Sequence, residues 1–263
     1  MRINRGCGVR ALILRNDDMM MQSHQLVFDL PIEPRFGRDD FLVSPSNAAA
    51  WEMFEHWPQW PDRVLLLLGP TGAGKSHLSA IWAARAGVER ISAHALIDAN
   101  LQLLGMEGLV IENADLLHAQ GLSASQRRDI ETRLFHLLNL ARGAGAFIVF
   151  TARHWPDQWG FTLPDLISRL RLAPVIEIGE PDDGLIRAVL VKLFSDRQLD
   201  VDVSVIDYIC LRLERSLDAA RHIVETLDRA SLAQSRAITR PFVADIMGRL
   251  DDPHAHKEDE NWA

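Results

Sequence analysis

The sequence is poor in the features that would tie it to an oxidising compartment, a membrane or bare duplex DNA. Cysteine occurs only at Cys7 and Cys210, too sparsely for a disulfide framework, and a reducing cytoplasm is the expected setting. No apolar run approaches the roughly 20 residues that a membrane-spanning helix requires; the densest, Val64 to Leu68, ends at once in a glycine. The patch Ala11 to Leu14, although set among Arg2, Arg5 and Arg10, is too short for a secretory signal. Positive charge is also in deficit. A protein whose main task is to hold duplex DNA concentrates Lys and Arg, whereas the formal net charge here is −8, so strong direct duplex binding is not expected. Internal repeats are absent.

What is present is enough apolar material, 48% of 263 residues, to bury the core of one moderate domain and a smaller one. From Arg63 to Ile178 short apolar runs alternate with amphipathic stretches, the pattern of a parallel sheet with helices on its faces. The strand candidates are Val64–Leu68, Leu109–Ile111, Ala146–Phe150 and Val175–Ile178. Between the middle two a helix is predicted: Ser123 and Gln126 form a capping box, Ile130, Leu134, Leu137, Leu138 and Ala141 share one face, and Gly143 stops it. After Pro181 only helical patterns follow, at 182–196, 203–213, 217–232 and 241–250. The expected organisation is an αβα domain at 36–180, a helical lid at 181–250 and a polar, disordered tail at 251–263, in which His254 and His256 are solvated. Residues 1–22 are read as a non-native or disordered extension, since Met19, Met20 and Met21 each offer an alternative start.

The strongest chemical signal is Gly69-Pro70-Thr71-Gly72-Ala73-Gly74-Lys75-Ser76, a Walker A pattern in which small residues let successive N–H groups curl around phosphates. An apolar strand precedes it and a helix follows, with Leu78, Ile81, Trp82 and Arg85 at helical spacing. The anion would therefore sit at a helix N-terminus, where free N–H groups and the dipole favour it. Lys75 is expected to reach the β and γ phosphates, Ser76 to ligate Mg2+, and His77 to border the nucleotide, ATP or ADP. In the next strand Glu112 takes the metal-side position of Walker B and Asn113 that of the base. Asn cannot accept a proton as a carboxylate can, so hydrolysis by this chain alone is expected to be weak. Asp115 is an alternative if the strand ends later. Thr151, ending the fourth strand, is either a γ-phosphate sensor or a plain strand-end residue.

From these motifs the chain resembles the DnaA superfamily of P-loop AAA+ proteins, and within it the Hda type of DnaA-related regulator, over Gln25 to Met247. Phe41-Leu-Val-Ser-Pro-Ser-Asn47 resembles the segment whose backbone lines the adenine pocket. Leu163-Pro-Asp-Leu-Ile-Ser-Arg169-Leu resembles the arginine-finger box, and Leu227-Asp-Arg-Ala-Ser231 with Pro241-Phe-Val243 resembles the Hda lid. The resemblance implies a three-layer αβα domain with a helical lid, and implies that Arg169 acts in trans on a neighbour's nucleotide, where a planar guanidinium binds charge spread over the γ phosphate. Where the family's lid presents a sensor arginine, this chain has Asp218, flanked by Arg215 and Arg221; either could take over, and Arg221 is the choice made here. Unlike DnaA, no helix-turn-helix pattern follows the lid.

Gln25-Leu-Val-Phe-Asp-Leu30, within the 23–35 segment before Pro31 and Pro34, resembles the bacterial sliding-clamp-binding peptide, with Gln25 at a pocket rim and Leu26, Phe28 and Leu30 as anchors. Read without that likeness, it is a short apolar run that packs on its own domain. The implied partners are DnaA and the β clamp of DNA polymerase, with homo-oligomers allowed and no membrane. The implied role is to promote hydrolysis of DnaA-bound ATP and so prevent re-initiation; the alternatives are an ATPase that loads a helicase or clamp, and a DnaA-like adaptor on origin DNA.

Overall fold

Short hydrophobic runs buried on both faces build the centre of the molecule. In the computed structural model, which describes residues 37–93, 95–97, 108–117 and 122–250, these runs become strands β1 (Val64–Leu68), β3 (Gly108–Glu112), β4 (Phe147–Ala152) and β5 (Val175–Glu177). A further strand, β2 (Glu89–Ser92), was not anticipated, because its residues are polar and largely exposed at the sheet edge and carry no apolar run. All pairings are parallel, in the order β2-β3-β4-β1-β5. The described residues all belong to one compact unit, Ile32–Ala263. The readings made for 1–22, 23–35 and 251–263, Gln25, Leu26, Phe28 and Leu30 among them, lie outside the described residues.

Alternation along β1 feeds two cores. Val64, Leu66 and Leu68 face one side, where α3 (Ala124–Ala144) and α4 (Pro164–Leu172) pack; Leu65 and Leu67 face the other, with α1 (Ala48–Glu55) and α2 (Lys75–Ala86). This two-sided burial is why the strands read as continuous apolar runs. The capping box of Ser123 and Gln126 forms as expected, but α3 runs through Gly143 and ends at Gly145. Gly143 is a tolerated helical glycine, and the left-handed cap comes two residues later.

The lid consists of α5 (Asp183–Asp196), α6 (Val203–Cys210), α7 (Leu217–Gln234) and α8 (Arg240–Leu250), around a third core built from Ile186, Leu190, Phe194, Ile209, Val224 and Phe242. Against expectation α6 stops at Cys210, short of Leu213, and α7 extends to Gln234. Polar contacts bind the lid to the sheet domain. The Leu217 N–H donates to the Gly72 carbonyl at 2.8 Å, and Lys192 of α5 pairs with Asp40 at 2.7 Å. Among the described residues no helix is long and apolar enough to cross a membrane.

Candidate functional site

The strand order changes direction around β1, which has β4 on one side and β5 on the other, and in open parallel sheets ligands bind beyond the strand ends at such a point. Three loops converge there: the glycine loop after β1, Asn113 to Leu116 after β3, and Thr151 to Arg153 at the end of β4. Together with the first turn of α7 they enclose a cavity of about 450 Å³ lined by Thr71, Gly72, Gly74, Lys75, Ser76, His77, Asn113, Leu116, Arg153, Leu217, Asp218 and Arg221. A smaller cavity of about 150 Å³, bounded by Phe41, Leu42, Asn47, Leu185, Val189 and Lys192, shares His77, Leu217 and Arg221 with it. The result is one cleft roofed by the lid, whose smaller end sets Phe41, Leu42, Leu185, Val189 and Leu193 beside the charges of Asp40, Lys192, Asp196, Arg197 and Glu225.

The glycines are required where they stand. Gly72 has φ +71°, and a Cβ there would collide with Ser216 Oγ; a Cβ on Gly69 would collide with the Ile178 carbonyl oxygen. Gly74 opens α2, while Ala73 is buried in the core beneath the loop. Lys75, only 7% exposed, donates from Nζ to the carbonyls of Gly69 and Pro70, at 2.7 Å each. Burial pushes its ammonium pKa down, and the nearby Asp115 opposes that shift. His77 is likewise held below its ordinary pKa, by burial first. At neutral pH the imidazole is therefore uncharged, and Nε2–H donates to the Gly37 carbonyl at 3.2 Å.

The acidic side of the cleft is arranged differently from the order of the motif. Glu112 Oε1 is held by Arg90 of β2, at 2.5 and 3.0 Å, with the Ser79 hydroxyl at 3.4 Å. Asn113 lies in the left-handed region, and its N–H donates to Thr151 Oγ1 at 3.0 Å; Thr151 itself is fully buried. Neither Glu112 nor Thr151 lines the cavity. The carboxylate that acts most on Lys75 is Asp115, ahead of Asp218, and its side chain is 3% exposed. Its Oδ2 accepts from Arg153 Nε at 2.9 Å, and its Oδ1 has no hydrogen-bond partner among the described residues.

Of the two arginines weighed for the lid, Arg221 reaches the cleft and pairs with Asp218 at 3.3 Å, whereas Arg215 is turned to Asp183 at 3.2 Å. Arg153 was missed by sequence reasoning; its position two residues beyond Thr151 was the available signal. Asp40 and Lys192 were also missed, because nothing local marks a pair from different domains. Arg169 lies in neither cavity. It is half-buried on α4, with its guanidinium 4.8 Å from the centre of the Phe135 ring on α3. The glycine loop, Lys75 and a helix N-terminus can grip a polyphosphate.

Residues 183–247 match the family model described as the lid domain of Hda. The chain is similar to domain III of the Thermotoga maritima replication initiation protein DnaA, with a TM-score of 0.71 at 17% identity, covering 85% of this chain and all of that one. AMPPCP-bound DnaA from Aquifex aeolicus gives a TM-score of 0.61 at 17% identity, covering 82% and 71% of the two chains. The Thermotoga maritima RuvB Holliday junction branch migration motor gives 0.62 at 15%, covering 84% and 74%. An uncharacterized protein of Haemophilus influenzae is 25% identical over 235 residues, 88% of this chain and 99% of that protein. The similar structures share the AAA+ fold, and the lid match covers α5 to α7 and most of α8.

Proposed function

We propose that this chain, whose lid matches that of Hda and whose fold is that of DnaA domain III, is a DnaA-related AAA+ protein of the Hda type, a cytoplasmic, nucleotide-binding regulator of replication initiation. It holds ATP or ADP in the cleft, docks on ATP-loaded DnaA and promotes hydrolysis there, tethered to the sliding clamp through Gln25 to Leu30. Lys75 and the loop amides hold the phosphates, and the cavity beside Phe41 and Leu42 takes the base. Ser76 and Glu112 are the Mg2+ candidates, and the ion would neutralise phosphate charge when bound; Glu112 would first have to exchange Arg90 for it.

The observation that carries this reading is Arg169, a guanidinium outside its own cleft, half-exposed and without an ion pair among the described residues. An arginine free of a carboxylate is available to a second molecule's phosphates. The chain's own chemistry fits the same picture, since Asn113 stands where a base would be needed and Glu112 is neutralised by Arg90.

The test is hydrolysis of DnaA-bound ATP in the presence of clamp loaded on DNA. The intact chain should accelerate it; Arg169→Ala should lose roughly 1,000-fold, the lower range for an arginine finger. Phe28→Ala should lose clamp retention in a pull-down while binding nucleotide normally. Equal rates for the intact and Arg169→Ala chains would falsify the trans-acting role.

A second reading, a self-sufficient ATPase that loads a helicase or clamp, rests on Asp115, a buried carboxylate that acts electrostatically on Lys75 and whose Oδ1 has no hydrogen-bond partner among the described residues. Turnover by the purified chain near ~1 per second, within the ordinary enzyme range, and its loss in Asp115→Asn would establish that reading instead.

A further inference from the structure

Helix α4, which carries Arg169, begins without a capping side chain of its own. Its N-cap residue is Leu163, whose apolar side chain caps none of the first-turn N–H groups, and Pro164 follows. The donors just before the helix are instead taken by a carboxylate from another element. Glu131, at 1% exposure one of the most buried charged residues described, accepts through Oε2 from the Leu163 N–H at 2.6 Å and the Thr162 N–H at 3.0 Å. The Thr162 hydroxyl lies 3.2 Å from both carboxylate oxygens. A buried carboxylate is stable only when so satisfied, and an anion at this end of a helix also complements its dipole.

Glu131 belongs to α3, and four residues further along the same helix is Phe135, on whose ring the Arg169 guanidinium rests. Residues spaced by four share one helix face. One turn of α3 thus holds both ends of α4: the carboxylate fixes the start of the helix, and the ring supports the guanidinium in its last turn. Along the same helix Leu166 and Leu170 are fully buried in the sheet core. Packing alone resists separation of α4 from the sheet, while the directional bonds to Glu131 oppose sliding of α4 along its own axis, the motion that would displace Arg169.

We propose that Glu131 is a positioning residue for Arg169: by capping α4 from α3 it sets how far the guanidinium projects towards a partner's phosphates. The proposal rests on the trans-acting reading of Arg169. Misplacing a reacting group by about 1 Å costs on the order of 100-fold, so Glu131→Gln, which keeps the volume but replaces one acceptor with a donor, should slow hydrolysis of DnaA-bound ATP by roughly 10- to 100-fold. The chain's own nucleotide affinity should stay within twofold of the parent's (roughly a factor of two being a few tenths of a kcal/mol). Thr162→Val, which removes one donor at an exposed position, should give a smaller loss in the same direction and serves if Glu131→Gln fails to fold.

Two readouts separate positioning from general destabilisation. In an Arg169→Ala background Glu131→Gln should add nothing, because there is no guanidinium left to misplace. In the intact chain the Arg169 side-chain NMR signals, shifted by the Phe135 ring, should move in Glu131→Gln. Unmoved signals, or a Glu131→Gln chain that stimulates normally while Arg169→Ala does not, overturn the role of Glu131 alone. An Arg169→Ala chain that stimulates normally overturns the trans-acting reading, and the part of Glu131 in hydrolysis with it.

Discussion

At the scale of single residues, the site sets two buried charges, Lys75 and Asp115, against more exposed ones on its rim. Lys75 loses hydration and regains attraction from Asp115, Asp115 is shared with Arg153, and Arg221 is shared with Asp218. Arg153 and Arg221 are therefore the cations that an incoming polyphosphate can recruit, at the expense of their carboxylates. Arg153→Ala should weaken binding of a fluorescent nucleotide by roughly tenfold or more, since losing a hydrogen bond to a charged group costs about 1.5 kcal/mol or above. Arg215→Ala, removing a guanidinium committed to Asp183, should leave the titration unchanged. An equal effect of the two substitutions would show that proximity to the cleft is not what matters. The glycine loop, Lys75 and Ser76 could be read from sequence because their chemistry is written in eight consecutive residues. Arg153 and Asp115 could not, because they meet Lys75 only after β3 and β4 bring separate loops to one end of the sheet.

At the scale of elements, the glycine loop and the first turn of α7 are built against each other. Gly72 is confined twice, by its left-handed backbone and by Ser216 pressing where a side chain would be. Gly72→Ala should lower stability by about 1–3 kcal/mol from backbone strain alone, seen as a lower melting temperature. Adding Ser216→Gly should recover only the part due to crowding; full recovery would mean that the backbone is not strained. Helical elements were legible wherever a cap or a periodic apolar face marked them, as at Ser123 and along Ile130 to Ala141. Boundaries were less so: Gly143 looked like a terminator, yet Gly145 holds the left-handed cap, because an exposed helix interior accepts a glycine at a cost of only about 1 kcal/mol. Strand β2 escaped notice for the complementary reason, since an edge strand stabilised by ladder bonds needs no apolar signature.

For the whole molecule, the Asp40–Lys192 pair bridges the segment preceding α1 and the lid. The hydrogen bond from Lys192 holds the Asp40 carboxyl below its usual range, and the same bond raises the Lys192 ammonium. A lowered carboxyl contributes stability that is complete above its unfolded value near ~4 and fades as pH falls through the folded value; a raised ammonium contributes below its unfolded value near ~10 and fades above it. The bridge is thus at full strength from about pH 4 to 10. Lys192→Met should be less stable than the parent at neutral pH, and the two urea midpoints should converge as pH falls below ~4. A constant gap would mean that the methionine changed packing rather than charge. The lid's own N–H, given by Leu217 to the carbonyl of Gly72, has a kinetic corollary. A nucleotide seated between the glycine loop and α7 should leave when that clasp opens, so its dwell time should be geared to how often the helical cap swings away, and a crosslink between the two halves should lengthen it.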